Sequence, residues 1–104
     1  MSNSRMLNLA QIYTETVTIT VAGTAQNPTA ANVPDGVAIV VLGHPDNTGN
    51  IKIADTAAKA QAASGTGNVP LAANVSASFQ IQDPSKLFLD ATVSGEKAII
   101  YFEY

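Results

Sequence analysis

The strongest constraint on the fold is a strict alternation of apolar and polar side chains in residues 75–81. Every second residue there is apolar, and serines and glutamines fill the positions between. A period of two is typical of a β-strand with one face on a core. Two more runs of strand-type residues follow at 87–93 and 96–104, preceded by turn-forming residues at 83–86 and 94–95, respectively. The C-terminal third therefore predicts an antiparallel meander.

Two runs are apolar on both faces. In the last run, Ile100 and Phe102 share one side, whereas Ile99 and Tyr101 share the other. Residues 37–42 read Val-Ala-Ile-Val-Val-Leu without any polar position. Such strands are predicted to be covered on both faces, by a second sheet or by another subunit.

The first half of the chain adds further strands. Threonines alternate with β-branched residues in 11–22, which favours a strand with a hydroxyl-bearing face. Pro-Asp-Gly at 34–36 predicts a tight turn. The alternation of residues 51–53 predicts a strand with Lys52 pointing to solvent. Residues 55–68 leave two alternatives open: a short helix capped by Asp55 and stopped by Gly65, or an irregular crossover between strands.

These elements predict an all-β fold, an antiparallel β-sandwich that is jelly-roll-like. Residues 11–104 are expected to form its single domain, and residues 1–10 an extended N-terminal arm. The arm carries Met6, Leu7 and Leu9. One interpretation is a frayed terminus with slight core contact; the other is insertion of these apolar residues into a neighbouring subunit, because they are costly in water without a partner.

Composition narrows the function classes. Charged residues make up 12% of the chain, against about 25% in an average soluble domain, which suits a protein that packs against others. The net charge of −3 argues against a nucleic-acid partner. No segment approaches the ~20 apolar residues of a membrane span, and the N-terminus has no apolar run of signal-peptide length. We therefore expect synthesis and folding in a cytoplasm and no membrane partner.

The motifs tested for chemistry favour no enzyme, no metal and no cofactor. His44 stands beside a proline at a strand end, without the setting of a nucleophile and its base. The run 46–50 is similar to a calcium loop, but its glycine is the fourth residue instead of the sixth. Asp90 falls in a predicted strand, on the side opposite its apolar neighbours, and is expected to face solvent or a partner.

Residues 47–53 and 69–104 resemble small structural proteins of tailed bacteriophage virions. The similar features are a strand pair around Asn-Thr-Gly, a Pro-Leu before an alternating strand, the run Asp-Pro-Ser-Lys-Leu-Phe, a glycine turn and a C-terminal strand ending in aromatics. One departure is Ala73-Asn74, where many such proteins look to have Pro-Gly; asparagine still tolerates the turn.

This resemblance implies a capsid decoration (cement) protein that binds the outer surface of the major capsid shell and stabilises the head. The alternative is a head-fibre, spike or tail-associated module that binds a host receptor or glycan. We expect a homo-oligomer on the virion surface, with a trimer favoured and the major capsid protein as partner. Contact with the capsid or a neighbour is expected at Met6, Leu7 and Leu9, and the subunit interface at Ile99, Tyr101 and Tyr104.

Overall fold

The protein is seen in a computed structural model that describes residues 9–104. This part of the chain forms two antiparallel sheets, so the prediction of an all-β antiparallel fold is confirmed. Its strands and single α-helix are, in chain order, β1 (Ile12–Ile19), β2 (Ile39–Gly43), β3 (Ile51–Ala54), α1 (Ala57–Gln61), β4 (Val69–Leu71), β5 (Ser76–Phe79), β6 (Phe88–Ala91) and β7 (Glu96–Glu103). Within residues 9–104, α1 is far too short to cross a bilayer, and no other helix is a candidate.

The strands divide between a sheet of four, here called sheet A, and a sheet of three, sheet B. Sheet A has the order β1-β7-β2-β5, and sheet B the order β4-β3-β6. The core contains apolar side chains from both sheets, because alternate residues of each strand point inward. Its large, fully buried members are Ile19, Ile39, Val41, Ile51, Leu89 and Ile100.

The predicted turns form as the sequence indicates. The N–H of Val37 donates to the carbonyl of Pro34 across 3.1 Å, and Gly36 between them has a φ of 82°. Asn74 lies in the turn from β4 to β5 with a φ of 66°. An asparagine adopts this left-handed conformation more readily than most residues, so Asn74 is suited to this turn.

Lys52 and Asp90 are both buried, which contradicts the predicted exposure of each. They lie opposite each other on β3 and β6, with 7% and 0% of their surface exposed. The Nζ of Lys52 is 3.4 Å from Oδ2 of Asp90 and donates a 2.8 Å hydrogen bond to the carbonyl of Ala62. Alternation correctly assigns both side chains to the outer face of sheet B, but α1 and the loop after it pack over that face.

The helical alternative for residues 55–68 is correct over Ala57–Gln61 only. Its N-cap is Thr56, whose hydroxyl accepts the N–H of Lys59, so the predicted cap at Asp55 is wrong by one residue. The helix ends at Gln61, with Ala62 as its C-cap, before Gly65. Ala60 is fully buried. Packing on sheet B stabilises a helix that is too short to be stable on propensity alone.

Candidate interaction surface

The outward face of sheet A carries four half-exposed apolar side chains, here called the outer patch. Its members come from β2 and β7: Val40, Leu42, Ile99 and Tyr101. The register sets Val40 opposite Tyr101 and Leu42 opposite Ile99, so the four form one block at the centre of the sheet. The sequence predicts that β2 and β7 are covered on both faces. Within residues 9–104, only the inner faces of these two strands are fully buried.

Hydroxyl side chains border the outer patch on both sides. On β1, Thr14 lies beside Tyr101 and Thr16 beside Ile99. On β5, Ser76 lies beside Leu42. Charges on β7 occur only at its ends, at residues 96, 97 and 103. The middle of sheet A is thus an uncharged face with an apolar centre and a rim of small polar groups, an arrangement typical of protein contact surfaces.

Tyr104, the third residue predicted for the subunit interface, lies elsewhere. Its position follows the inward-facing residues of β7, and its ring centroid is 6.2 Å from that of Phe102. Phe102 stacks on Tyr13 at 4.8 Å. These three rings, with Ala31 and Asn32, line a cleft of about 200 Å³. The structure therefore brings Ile99 and Tyr101 together and separates Tyr104 from them.

The aromatic cleft also contains one group with a shifted pKa, the phenol of Tyr13. Burial raises the pKa of the Tyr13 phenol, and the neighbouring Glu15 carboxylate raises it further. Tyr13 donates a 3.4 Å hydrogen bond to Oε1 of Glu15. The phenol therefore stays protonated and serves the cleft as an uncharged ring.

The N-terminal segment joins the body beside this cleft. The N–H groups of Ala10 and Gln11 both donate to the carbonyl of Tyr104, at 3.1 and 2.8 Å. Leu9 is half-buried. Met6 and Leu7, the other predicted contact residues, lie outside the described residues, as does most of the predicted arm 1–10.

A second concavity lies between the sheets, where β5 and β4 form neighbouring edges. It has a volume of about 330 Å³ and is mainly apolar; its walls are Ile53, Ala54, Asp55, Gly67, Val69, Phe79, Ile81, Lys86 and Leu87. Sequence analysis missed this groove. The only signal was that the apolar residues of 75–81 belong to a short edge strand, where inward-facing side chains remain half-exposed.

A buried carboxylate holds the Asn-Thr-Gly turn in place. Glu96 is 6% exposed, and its Oε2 accepts hydrogen bonds from the N–H groups of Thr48 and Gly49 and from the Thr48 hydroxyl. The side chain of Asn47 bonds both backbone groups of Lys97. This turn is fixed to the start of β7, which gives its residues a structural role. Sequence analysis missed Glu96, although its position on the apolar side of β7 was the available signal.

His44 and Asp46, which were considered for catalysis, contact each other within a turn. Nδ1 of His44 accepts the N–H of Asp46 at 3.1 Å and lies 3.8 Å from the Asp46 carboxylate. Within residues 9–104, histidine and carboxylate side chains do not converge in groups of three that could hold a metal ion. The outer patch is therefore the strongest candidate site in this part of the chain.

Comparison of the chain with protein-family models, with curated proteins and with solved structures finds no match.

Proposed function

We propose that this protein is a non-enzymatic capsid decoration protein of a tailed bacteriophage, which binds the outer surface of the major capsid shell and stabilises the head. The outer patch carries this proposal, because it offers an uncharged contact face on a four-stranded sheet. A single such patch binds weakly, but contacts repeated over a shell add up through multivalency. The low charged fraction, 12% of residues, also favours a protein that works in an assembly.

We further propose that the two sheets form a jelly-roll sandwich. In an eight-stranded jelly roll the first, eighth, third and sixth strands form one sheet, and the second, seventh, fourth and fifth form the other. The orders β1-β7-β2-β5 and β4-β3-β6 fit that scheme if the second strand is reduced to one residue. Gln26 supports this, because it forms an isolated bridge to Leu89 of β6, where the second strand belongs. Jelly rolls are frequent in viral capsid proteins and lectins.

The decoration proposal includes a homo-oligomer, with a trimer favoured, and the major capsid protein as the partner. Leu9 and the N-terminal arm are assigned to contact with the capsid or a neighbouring copy. Ile99 and Tyr101 are assigned to contact between subunits or with the shell through the outer patch. Tyr104 lies beside the start of the arm and is assigned with Leu9.

The test is binding to purified, expanded capsids that lack the protein. We expect the wild-type chain to sediment with the shells and to raise their melting temperature. Tyr101→Asp places a charge in the outer patch and is expected to lower the bound fraction about tenfold or more, because a charge buried in an apolar contact is strongly unfavourable. Thr66→Asp, in an exposed loop, is the matched control. The proposal would be contradicted by shells that do not bind the wild-type chain, or by shells that bind Tyr101→Asp as well as they bind Thr66→Asp.

The aromatic cleft favours a second candidate, a head-fibre, spike or tail module that binds a host glycan. Stacked rings of Tyr13 and Phe102 beside the amide of Asn32 supply an apolar wall and a hydrogen-bonding group, which are the elements of a sugar subsite. A glycan array probed with the purified protein tests this candidate. Binding that Tyr104→Ala abolishes would support it, and an array without binding would exclude it.

A further inference from the structure

The free edges of the two sheets are protected to different degrees. In sheet B, β4 contains Pro70, which has no N–H to offer, and β6 is covered where Gln26 and Leu89 exchange two hydrogen bonds of 2.8 Å. In sheet A, β5 has only four residues. The remaining edge, β1, has eight residues, an unbroken register with β7, and no proline, glycine or lysine. Natural proteins usually blunt an edge of this kind.

The outward edge of β1 presents regularly spaced backbone groups. Gln11 and Tyr104 exchange both of their hydrogen bonds, which fixes the phase of the ladder between β1 and β7. Residues at odd positions of β1 therefore bond to β7, and those at even positions direct their N–H and C=O groups away from the sheet. The even residues are Ile12, Thr14, Thr16 and Thr18. Their backbone groups bond to no other residue in 9–104.

We propose that β1 pairs antiparallel with β1 of a second copy of this chain, across a twofold axis, so that two four-stranded sheets join into one. The second copy is the favoured occupant because β1 offers it an edge of equal length, whereas β5 matches only half of that length. An identical strand brought up by a twofold axis is also antiparallel, and each copy contributes the same groups.

Glu15 selects the register of this pair. Its carboxylate is already held by the N–H and hydroxyl of Thr29, at 3.0 and 2.8 Å. A register centred on Glu15 would bring two carboxylate-bearing residues directly opposite each other, which is unfavourable. Shifting the centre to Thr16 sets Glu15 opposite Val17 of the second copy. It also keeps the outward backbone groups in phase, because both partners at each bonded pair are then even-numbered.

The side chains of β1 suit this register. Thr16 lies opposite Thr16 of the second copy, and Thr14 lies opposite its Thr18. Threonines therefore pair across the junction on the outer face. Three bonded residue pairs supply about six N–H···O=C hydrogen bonds. Ile12, which is 67% exposed, comes opposite Thr20 and is partly covered. Thr29 bonds the inward-facing side chain of Glu15, and within residues 9–104 it leaves the outward backbone groups of β1 without a partner.

This inference goes beyond the proposed function, because the contact requires no capsid. It is also compatible with a trimer, since the β1 edge and the outer patch are different surfaces of sheet A. If trimers join through this twofold contact, the particle contains six chains. If the twofold contact is the only one, the particle contains two chains.

Analytical ultracentrifugation of the full chain and of proline variants tests the pairing. Thr16→Pro removes an outward N–H and no bond to β7, so the sheet is expected to survive while the particle mass halves. Ser78→Pro is the matched control on the β5 edge, where position 78 also points outward because Gly43 and Val75 are bonded. A mass that falls with Ser78→Pro but not with Thr16→Pro would overturn the proposal in favour of pairing through β5 alone, and a mass that falls with both would overturn it in favour of β1 pairing with β5.

Two further measurements keep the test decisive if Thr16→Pro misfolds. Thr16→Lys sets two ammonium groups opposite each other and is expected to raise the dissociation constant about tenfold or more, whereas Thr16→Val is expected to leave it unchanged. Amide hydrogen exchange is expected to show Thr14, Thr16 and Thr18 protected at high protein concentration and exposed on dilution. Concentration-independent exchange at these amides, or a wild-type chain that sediments as a monomer, would overturn the proposal. The proposal would also be overturned if, among these variants, only Leu7→Asp lowered the particle mass, because the contact would then depend on the N-terminal arm and not on β1.

Discussion

Replacing Asp90 with alanine is expected to leave the Lys52 ammonium buried without a counter-charge. The pair is 3.4 Å apart, and both side chains are more than nine-tenths buried. At an effective dielectric constant of about 20, two unit charges at that distance attract by about 5 kcal/mol. Removing one partner of such a pair costs about 3–5 kcal/mol, from a total stability of about 5–15 kcal/mol for a domain. Asp90→Ala also removes the acceptor for the N–H of Gly23, at 2.9 Å.

Urea denaturation, followed by circular dichroism at one fixed protein concentration, measures this effect. We expect Asp90→Ala to lower the free energy of unfolding by about 3–5 kcal/mol. Adding Lys52→Met to Asp90→Ala is expected to recover much of the loss, because no unpaired charge then stays buried. Asp46→Ala is the exposed control, expected within about 0.5 kcal/mol of wild type. The argument is refuted if Asp90→Ala costs no more than Asp46→Ala, or if the double variant shows no coupling.

Two further substitutions test the packing and the turns. Gly43→Ala is expected to lower the free energy of unfolding by about 1–3 kcal/mol, because its Cβ would overlap the backbone carbonyl of Ala72; an unchanged urea midpoint would contradict this. The pKa of Asp83 lies below its ordinary value of 3.8, because its carboxylate accepts hydrogen bonds from the N–H and then the hydroxyl of Ser85. A lowered folded-state pKa stabilises the protein fully above about pH 3.8, and this contribution is lost as pH falls further. Unfolding of wild type and Asp83→Asn should therefore differ at neutral pH and converge in acid; a constant difference would count against this assignment.

The sequence predicts the strands and turns well because both depend on local rules. Alternation assigns each side chain to a face of its sheet, and proline, glycine and asparagine mark the turns. Val37 and Gly36, for example, form the turn that Pro-Asp-Gly indicates. Ile99 and Tyr101 are likewise assigned to the outward side of β7, where the structure has them.

What covers a face depends on distant parts of the chain, and there the predictions fail. Lys52 and Asp90 lie on the outer side of sheet B, as alternation requires, but α1 packs on that side and buries both residues. Their opposite charges at paired positions, Lys52 on β3 and Asp90 on β6, show only once the pairing of the two strands is known. Val40 and Leu42 show the converse case: an unbroken apolar run predicts cover on both faces, and within residues 9–104 the outer face of these two residues stays half-exposed, so the rest of the predicted cover has to come from a partner.

The number of copies per virion tests the central claim most directly. Quantitative mass spectrometry of purified phage, with the major capsid protein as the internal standard, gives this number. A decoration protein that docks across the shell is expected at hundreds of copies, in fixed proportion to the major capsid protein. A handful of copies per particle, as for a fibre or tail part, would contradict the account, and so would absence from the virion.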